Sequence, residues 1–181
     1  MSIPLDINIM EIAADIHYIP NFLSREQCSK IIEDAESFGN WESAKNDNYP
    51  GQEIRTNLLT DYTQNIVIDI YKYIAEQTKI IWPPTELFGL RDSFLIKYSV
   101  EGQKNLPLHN DHSLVSGSIK LNNEYVGGAL SFPRQNFFNS ICNTGDLIFW
   151  PAQVTHPHEC LDLLFGVKYS LTIWTKRSPW D

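Results

Sequence analysis

The sequence predicts an α+β chain in which two helices precede a β part folded as a sandwich or jelly roll. Two observations carry this. Apolar residues keep helical spacing in the first half, at Cys28, Ile31, Ile32, Ala35 and Phe38 and again from Asp61 to about Lys79. From Arg91 onward the pattern changes to short runs rich in β-branched and aromatic residues, divided by turn signals.

Taken in order, Ile16 to Ile19 reads as a short strand. Ser24-Arg25-Glu26-Gln27 is a capping box, with Ser24 as N-cap and Gln27 three residues on, and it opens the first helix. The polar stretch from Asn40 to Asn57, containing Pro50-Gly51, reads as a loop. The second helix, from Asp61 to about Lys79, is expected to bury Val67, Ile70, Tyr71 and Ile74, and Trp82-Pro83-Pro84 stops it. Strands are expected at Ser93–Ser99, Leu106–Ser113, Ser116–Leu121, Gly128–Phe132, Asp146–Trp150, Val154–Leu161 and Lys168–Thr175. Turns separate them at Glu101-Gly102, Asn122-Asn123, Gly127-Gly128, Asn143-Thr144-Gly145 and Phe165-Gly166.

A chain of 181 residues is expected to form one domain, with helical support over about residues 1–90 and the β core over about 91–177. A formal charge of −8 repels phosphate backbones, which counts against a nucleic-acid partner. No apolar run approaches the roughly 20 residues needed to cross a bilayer, so no membrane partner is expected. Met1 to Ile12 lacks the basic start and apolar core of a secretory signal. Cys28, Cys142 and Cys160 are odd in number and widely spaced, which fits reduced thiols in a cytoplasm.

The chemistry concentrates in two segments. In an extended strand, residues i and i+2 share a face, so His109 and Asp111 can reach one ion. By the same parity His112 faces the other way. A second imidazole comes from His156-Pro157-His158, and strand parity does not separate its two histidines. Two imidazoles and one carboxylate on one side of a metal suit a non-haem Fe(II) centre that activates oxygen. Downstream, Lys168, Ser170, Thr172 and Trp174 alternate onto one strand face, and an inward lysine needs an anion.

The series His-x-Asp, Gly127-Gly128, Gly145-Asp146, a second His and then a basic residue resembles the Fe(II)- and 2-oxoglutarate-dependent dioxygenases. It is most similar to their prolyl 4-hydroxylase-like branch, over about Tyr98 to Lys176. The resemblance implies a double-stranded β-helix, the jelly roll of this family, buttressed by the N-terminal helices. It implies His109, Asp111 and His158 as metal ligands. The family's distal His precedes a Gly by eight residues and a basic residue by ten, which Gly166 and Lys168 satisfy for His158; His156 remains the competitor. Lys168 would take the far carboxylate of 2-oxoglutarate, assisted by Thr172, with Tyr98 lining the same pocket. Arg55 and Trp174 match substrate-side positions, in and beyond a loop at Asn46 to Thr60 that family members bring over the iron. Ala129 replaces the Glu usual after the Gly-Gly pair.

The activity so implied is hydroxylation of an unactivated C–H bond with release of succinate and carbon dioxide. It requires Fe(II), 2-oxoglutarate and O2, with ascorbate as reductant, and acts on a prolyl or other residue of a peptide or protein. A dioxygenase of a free amino acid or small metabolite is the alternative within the enzymes. A non-catalytic metal-binding jelly roll is the alternative outside them, disfavoured because it would have no use for Lys168.

Overall fold

The computed structural model describes residues 9–41 and 51–181. Helix α1 (Arg25–Phe38) starts at the expected capping box: Ser24 Oγ accepts from the Gln27 amide at 3.1 Å, and Gln27 Oε1 accepts from the Ser24 amide at 2.9 Å. It ends at Gly39, whose amide still donates to the Ala35 carbonyl and whose φ of 72° turns the following chain out of the helix. Helix α2 (Asp61–Ile81) buries Ile66, Val67, Ile70, Tyr73 and Ile74. Tyr73 takes the buried position expected of Tyr71, which is only half-buried.

The strands of the described residues, in chain order, are β1 (Met10–Ala13) and β2 (Ile16–Ile19) before α1, β3 (Gln52–Arg55) before α2, and then β4 (Leu90–Ser99), β5 (Leu106–His109), β6 (Val115–Lys120), β7 (Tyr125–Gly127), β8 (Leu130–Phe132), β9 (Phe137–Phe138), β10 (Leu147–Pro151), β11 (His158–Cys160) and β12 (Leu163–Thr175). The major sheet runs β1-β2-β10-β6-β12-β4-β3, with β7 paired to the start of β12. The minor sheet runs β5-β11-β8-β9, and every pairing is antiparallel. This is the α+β jelly roll the sequence predicts.

Strand parity divides the major sheet. Leu171 and Ile173 of β12, Leu95 of β4, Ile119 of β6 and Phe149 of β10 pack with Ile31 of α1 and Ile70 and Ile74 of α2 in one buried cluster. Lys168, Ser170, Thr172 and Trp174 point to the opposite face, into the roll. A second cluster, with Phe132, Phe137, Ile148 and Trp150, fills one end of the interior.

The structure departs from the expectations in several places. Strand β12 begins at Leu163 rather than Lys168, so Phe165-Gly166, expected as a turn, lies inside it. Residues 1–90 give more than helical support, because β1, β2 and β3 join the major sheet. Strand β3 lies inside the expected Asn40–Asn57 loop: Gln-Glu-Ile-Arg has one apolar residue, and only pairing with β4 makes it a strand. Residues 42–50, which hold the first part of the expected Asn46–Thr60 loop, lie outside the described residues. Finally, β5 stops at His109 rather than Ser113, and β11 begins only at His158 rather than Val154. Among the described residues, no helix is long and apolar enough to cross a membrane.

Candidate active site

Strands β5 and β11 are antiparallel neighbours, and their register sets His109 directly opposite His158. Asp111 follows in the irregular segment after β5, so its orientation does not come from strand alternation, a correction to the sequence reading. Each imidazole is aimed by its other nitrogen: His109 Nδ1 lies 2.7 Å from the Pro107 carbonyl, and His158 Nδ1 lies 3.0 Å from the His156 carbonyl. Both Nε2 atoms then face Asp111 Oδ1 at 3.5 Å. The three ligand atoms lie within 4.8 Å of one another. A carbonyl behind an imidazole is the arrangement that fixes the ligating tautomer in metal sites.

Asp111 and His158 are 6 % and 5 % exposed. Burial by itself would raise the Asp111 carboxyl. The charge of His158 and hydrogen bonds from both histidines outweigh it and hold the group well below the usual carboxylate range. For His158 burial works downward, and the Asp111 charge overrides it and raises the imidazole. Asp111 Oδ2 is buried with no hydrogen-bond partner among the described residues. A buried carboxylate oxygen left in this way beside two imidazole nitrogens is a cation's position, and the N2O donor set fits Fe(II).

His156 takes no part in the set. Its Nε2 meets the Ala14 carbonyl at 2.8 Å and its Nδ1 meets Thr155 Oγ1 at 2.8 Å, so both ring nitrogens are engaged. Residue 156 precedes β11, and only residue 158 lies on it, opposite His109. His112, expected to face away, stands instead at the wall of the cavity, because the strand ends before it.

Beside the triad lies a cavity of about 230 Å³. Lys168, 3 % exposed, projects into it from β12. Its ammonium donates to the Gly128 carbonyl at 2.7 Å, lies 3.3 Å from Cys160 Sγ, and stands 4.7 Å from the centroid of the Tyr98 ring. Tyr98 is its register partner across β4 and β12. Burial first, then the neighbouring Cys160, Glu53 and Asp111, push the Tyr98 phenol well above its ordinary range. Thr172 and Trp174 follow Lys168 along the same wall. Phe132 and Trp150 press on the His158 ring, each with centroids 5.2 Å away, and dry that side of the site.

Arg55 lies apart from the cavity wall. Its guanidinium pairs with Asp92 at 2.8 Å, and its side chain is 60 % exposed. Three groups of the site went unread in the sequence: Gly128 as the carbonyl that holds Lys168, Cys160 beside the same ammonium, and Glu53 in the cavity wall. The Gly127-Gly128 pair carried a signal for the first. Gly128 has φ of 63°, and a Cβ there would press on Leu163 and on Lys168 Cδ.

No protein-family model matches the chain. In sequence it is 29 % identical over 170 residues to the human procollagen-lysine,2-oxoglutarate 5-dioxygenase 2, a match covering 86 % of this chain and 22 % of that protein. The chain thus spans about a quarter of the length of the curated relatives it matches. In structure it superposes on the viral collagen prolyl hydroxylase of Paramecium Bursaria Chlorella virus-1, in its 2OG complex, with a TM-score of 0.69. The identity is 18 %, and 91 % of this chain and 97 % of that one are covered. A prolyl hydroxylase from Trichoplax adhaerens, in complex with a hypoxia inducible factor oxygen degradation domain peptide, gives 0.70 at 14 % identity over 90 % of this chain and 83 % of that one. The fold is that of the prolyl hydroxylases, and the sequence resembles the 2-oxoglutarate-dependent dioxygenases.

Proposed function

We propose that this chain, with a prolyl-hydroxylase fold and a sequence like the procollagen-lysine dioxygenases, is an Fe(II)- and 2-oxoglutarate-dependent oxygenase that hydroxylates a residue of a peptide or protein. One observation carries the reading: a His109–Asp111–His158 set with an unpartnered carboxylate oxygen shares a cavity with a buried lysine that has no carboxylate partner among the described residues.

Fe(II) held by the two Nε2 atoms and Asp111 would supply activation of O2 coupled to decarboxylation of 2-oxoglutarate. The residues of the chain do the rest. Lys168 receives the far carboxylate of the co-substrate; the Gly128 carbonyl and the Tyr98 ring hold that ammonium in place before the anion arrives, so little ordering is left to binding. Thr172, four residues further on the same strand face, adds a hydroxyl toward the same carboxylate. Phe132 and Trp150 exclude water from the His158 side. Trp174 and Phe94, packed edge to face at 5.0 Å, wall the cavity toward the substrate.

The test is succinate release by the iron-loaded protein given 2-oxoglutarate, ascorbate and proline- or lysine-containing peptides, with mass spectrometry for an added oxygen on the peptide. Turnover of free amino acids with none on any peptide moves the substrate class to small molecules. Absence of succinate under every condition leaves a non-catalytic metal-binding jelly roll.

A further inference from the structure

We infer that Arg91 is a specificity-determining residue at the mouth of the cavity, and that its guanidinium receives a carboxylate carried by the substrate. On a peptide that carboxylate is the side chain of an acidic residue flanking the one that is hydroxylated. This rests on the peptide-hydroxylase reading above and narrows its substrate class.

A bulge places the guanidinium. Strand β12 pairs with β4 so that Trp174 stands opposite Asp92 and Thr175 opposite Leu90, which leaves Arg91 as an extra residue of β4 with no partner on β12. Strict alternation would send Arg91 to the same side as Ser93 and Leu95, both of them buried. The bulge turns it out instead. Arg91 is exposed, its Cζ lies 6.0 Å from the centroid of the Trp174 ring, and its Nη1 donates to the His112 carbonyl. Trp174 and His112 both line the cavity, and His112 follows Asp111 of the metal set in the chain. Arg91 therefore stands at the cavity mouth, beside that set.

Charge then selects the ligand. The ring and the carbonyl orient the guanidinium without neutralising it, so little ordering is left for a ligand to impose. The carboxylates around it are engaged elsewhere, Asp92 with Arg55 at 2.8 Å and Asp181 with Arg177 at 3.2 Å. Asp181 feels the Arg91 charge from a distance, and among the described residues no carboxylate forms an ion pair with Arg91. One N–H donor is taken by His112, and the planar fork keeps the others. A carboxylate engages two of them at once and supplies the opposite charge, whereas a peptide carbonyl or a hydroxyl engages one and supplies none. The net charge of −8 gives an anionic substrate no attraction at long range, so its recognition depends on a contact of this kind.

The test measures binding, separately from turnover. Short peptides centred on proline or lysine, with a glutamate stepped along the flanking positions, are titrated calorimetrically into the Mn(II)- and 2-oxoglutarate-loaded protein beside their glutamine and lysine counterparts. The free amino acids and their amides are titrated in parallel. At one or more positions the glutamate peptide is expected to bind about fivefold more tightly than its glutamine isostere, the scale of one partly exposed ion pair. Arg91→Gln is expected to erase that preference while manganese stoichiometry and 2-oxoglutarate affinity stay the same, and Arg91→Glu to turn it in favour of lysine. A preference for glutamate that survives in Arg91→Gln overturns the inference. So does its absence from the unaltered protein when the free amino acids and their amides also bind alike or not at all. If a free amino acid is instead preferred over its amide, no peptide binds, and Arg91→Gln removes that preference, Arg91 keeps its role as a carboxylate receptor and the peptide-hydroxylase reading fails.

Discussion

His109 and His158, 49 residues apart in the chain, face each other across β5 and β11 with ring centroids 4.5 Å apart. Their shared neighbour Asp111 sits 3.5 Å from the Nε2 of each. The fold is what brings these groups together: a minor sheet that pairs an earlier strand with a later one sets two distant sequence fragments around one point.

The two histidines around Pro157 should separate cleanly on mutation. His158→Ala is expected to abolish stoichiometric iron binding, measured by elemental analysis after desalting. His156→Ala should keep the iron and lose about 1–3 kcal/mol of stability, because the Ala14 carbonyl loses its partner. Urea denaturation checks the second value.

Lys168→Ala should weaken 2-oxoglutarate by about 2–3 kcal/mol, the scale of a lost hydrogen bond to a charge, while iron stoichiometry stays the same. Calorimetric titration with 2-oxoglutarate under nitrogen reads this. Unchanged affinity would remove Lys168 from the co-substrate site.

Away from the site, His17 is 7 % exposed, stacks on Phe149 at 5.4 Å and meets the Trp82 ring edge-on at 5.1 Å. Neither ring nitrogen has a hydrogen-bond partner among the described residues. Burial lowers its pKa below 6.5, against the opposing pull of Glu11 and Asp15. Because the folded value is the depressed one, its contribution to stability is complete above pH 6.5 and is lost as the pH falls through the folded value. Thermal melts at stepped pH should show this acid loss in the unaltered protein and a smaller one in His17→Phe.

Gly145 holds φ of 90° in the turn before β10, where an added Cβ would strike the Leu23 carbonyl oxygen. Its own carbonyl accepts the Leu23 amide at 2.9 Å, and its amide donates to Lys120 at 2.8 Å. Gly145→Ala is therefore expected to cost at least about 2 kcal/mol, measured by urea denaturation, since both backbone strain and a collision must be relieved.

Much of this was legible in the residues, for identifiable reasons. The capping box at Ser24, the apolar stripes of both helices and the alternation at Lys168, Ser170, Thr172 and Trp174 are local patterns with fixed periods, and the structure follows them except at the stripe positions Phe38, which is exposed at the end of α1, and Tyr71, which is half-buried. The spacing of His158 to Gly166 and Lys168 was equally local. What escaped depended on partners distant in the chain. Strand β3 exists because β4 offers it an edge, and Glu53 reached the cavity only through that pairing. The ends of β5 and β11 are not marked by any periodicity, and His112, beyond the end of β5, lies on the cavity side. The Lys168 environment joins Gly128, Cys160 and Tyr98, from three segments that only the closed roll assembles.

The most direct measurement is an anaerobic titration of the Fe(II)-loaded protein with 2-oxoglutarate, followed by visible absorption. If the two histidines and Asp111 leave neighbouring positions open beside Lys168, a charge-transfer band from iron to the chelating keto acid grows and saturates at one equivalent. It is expected to be absent in His158→Ala and to need far more 2-oxoglutarate in Lys168→Ala. A protein that binds iron through these residues yet shows no such band at saturating 2-oxoglutarate would contradict the account.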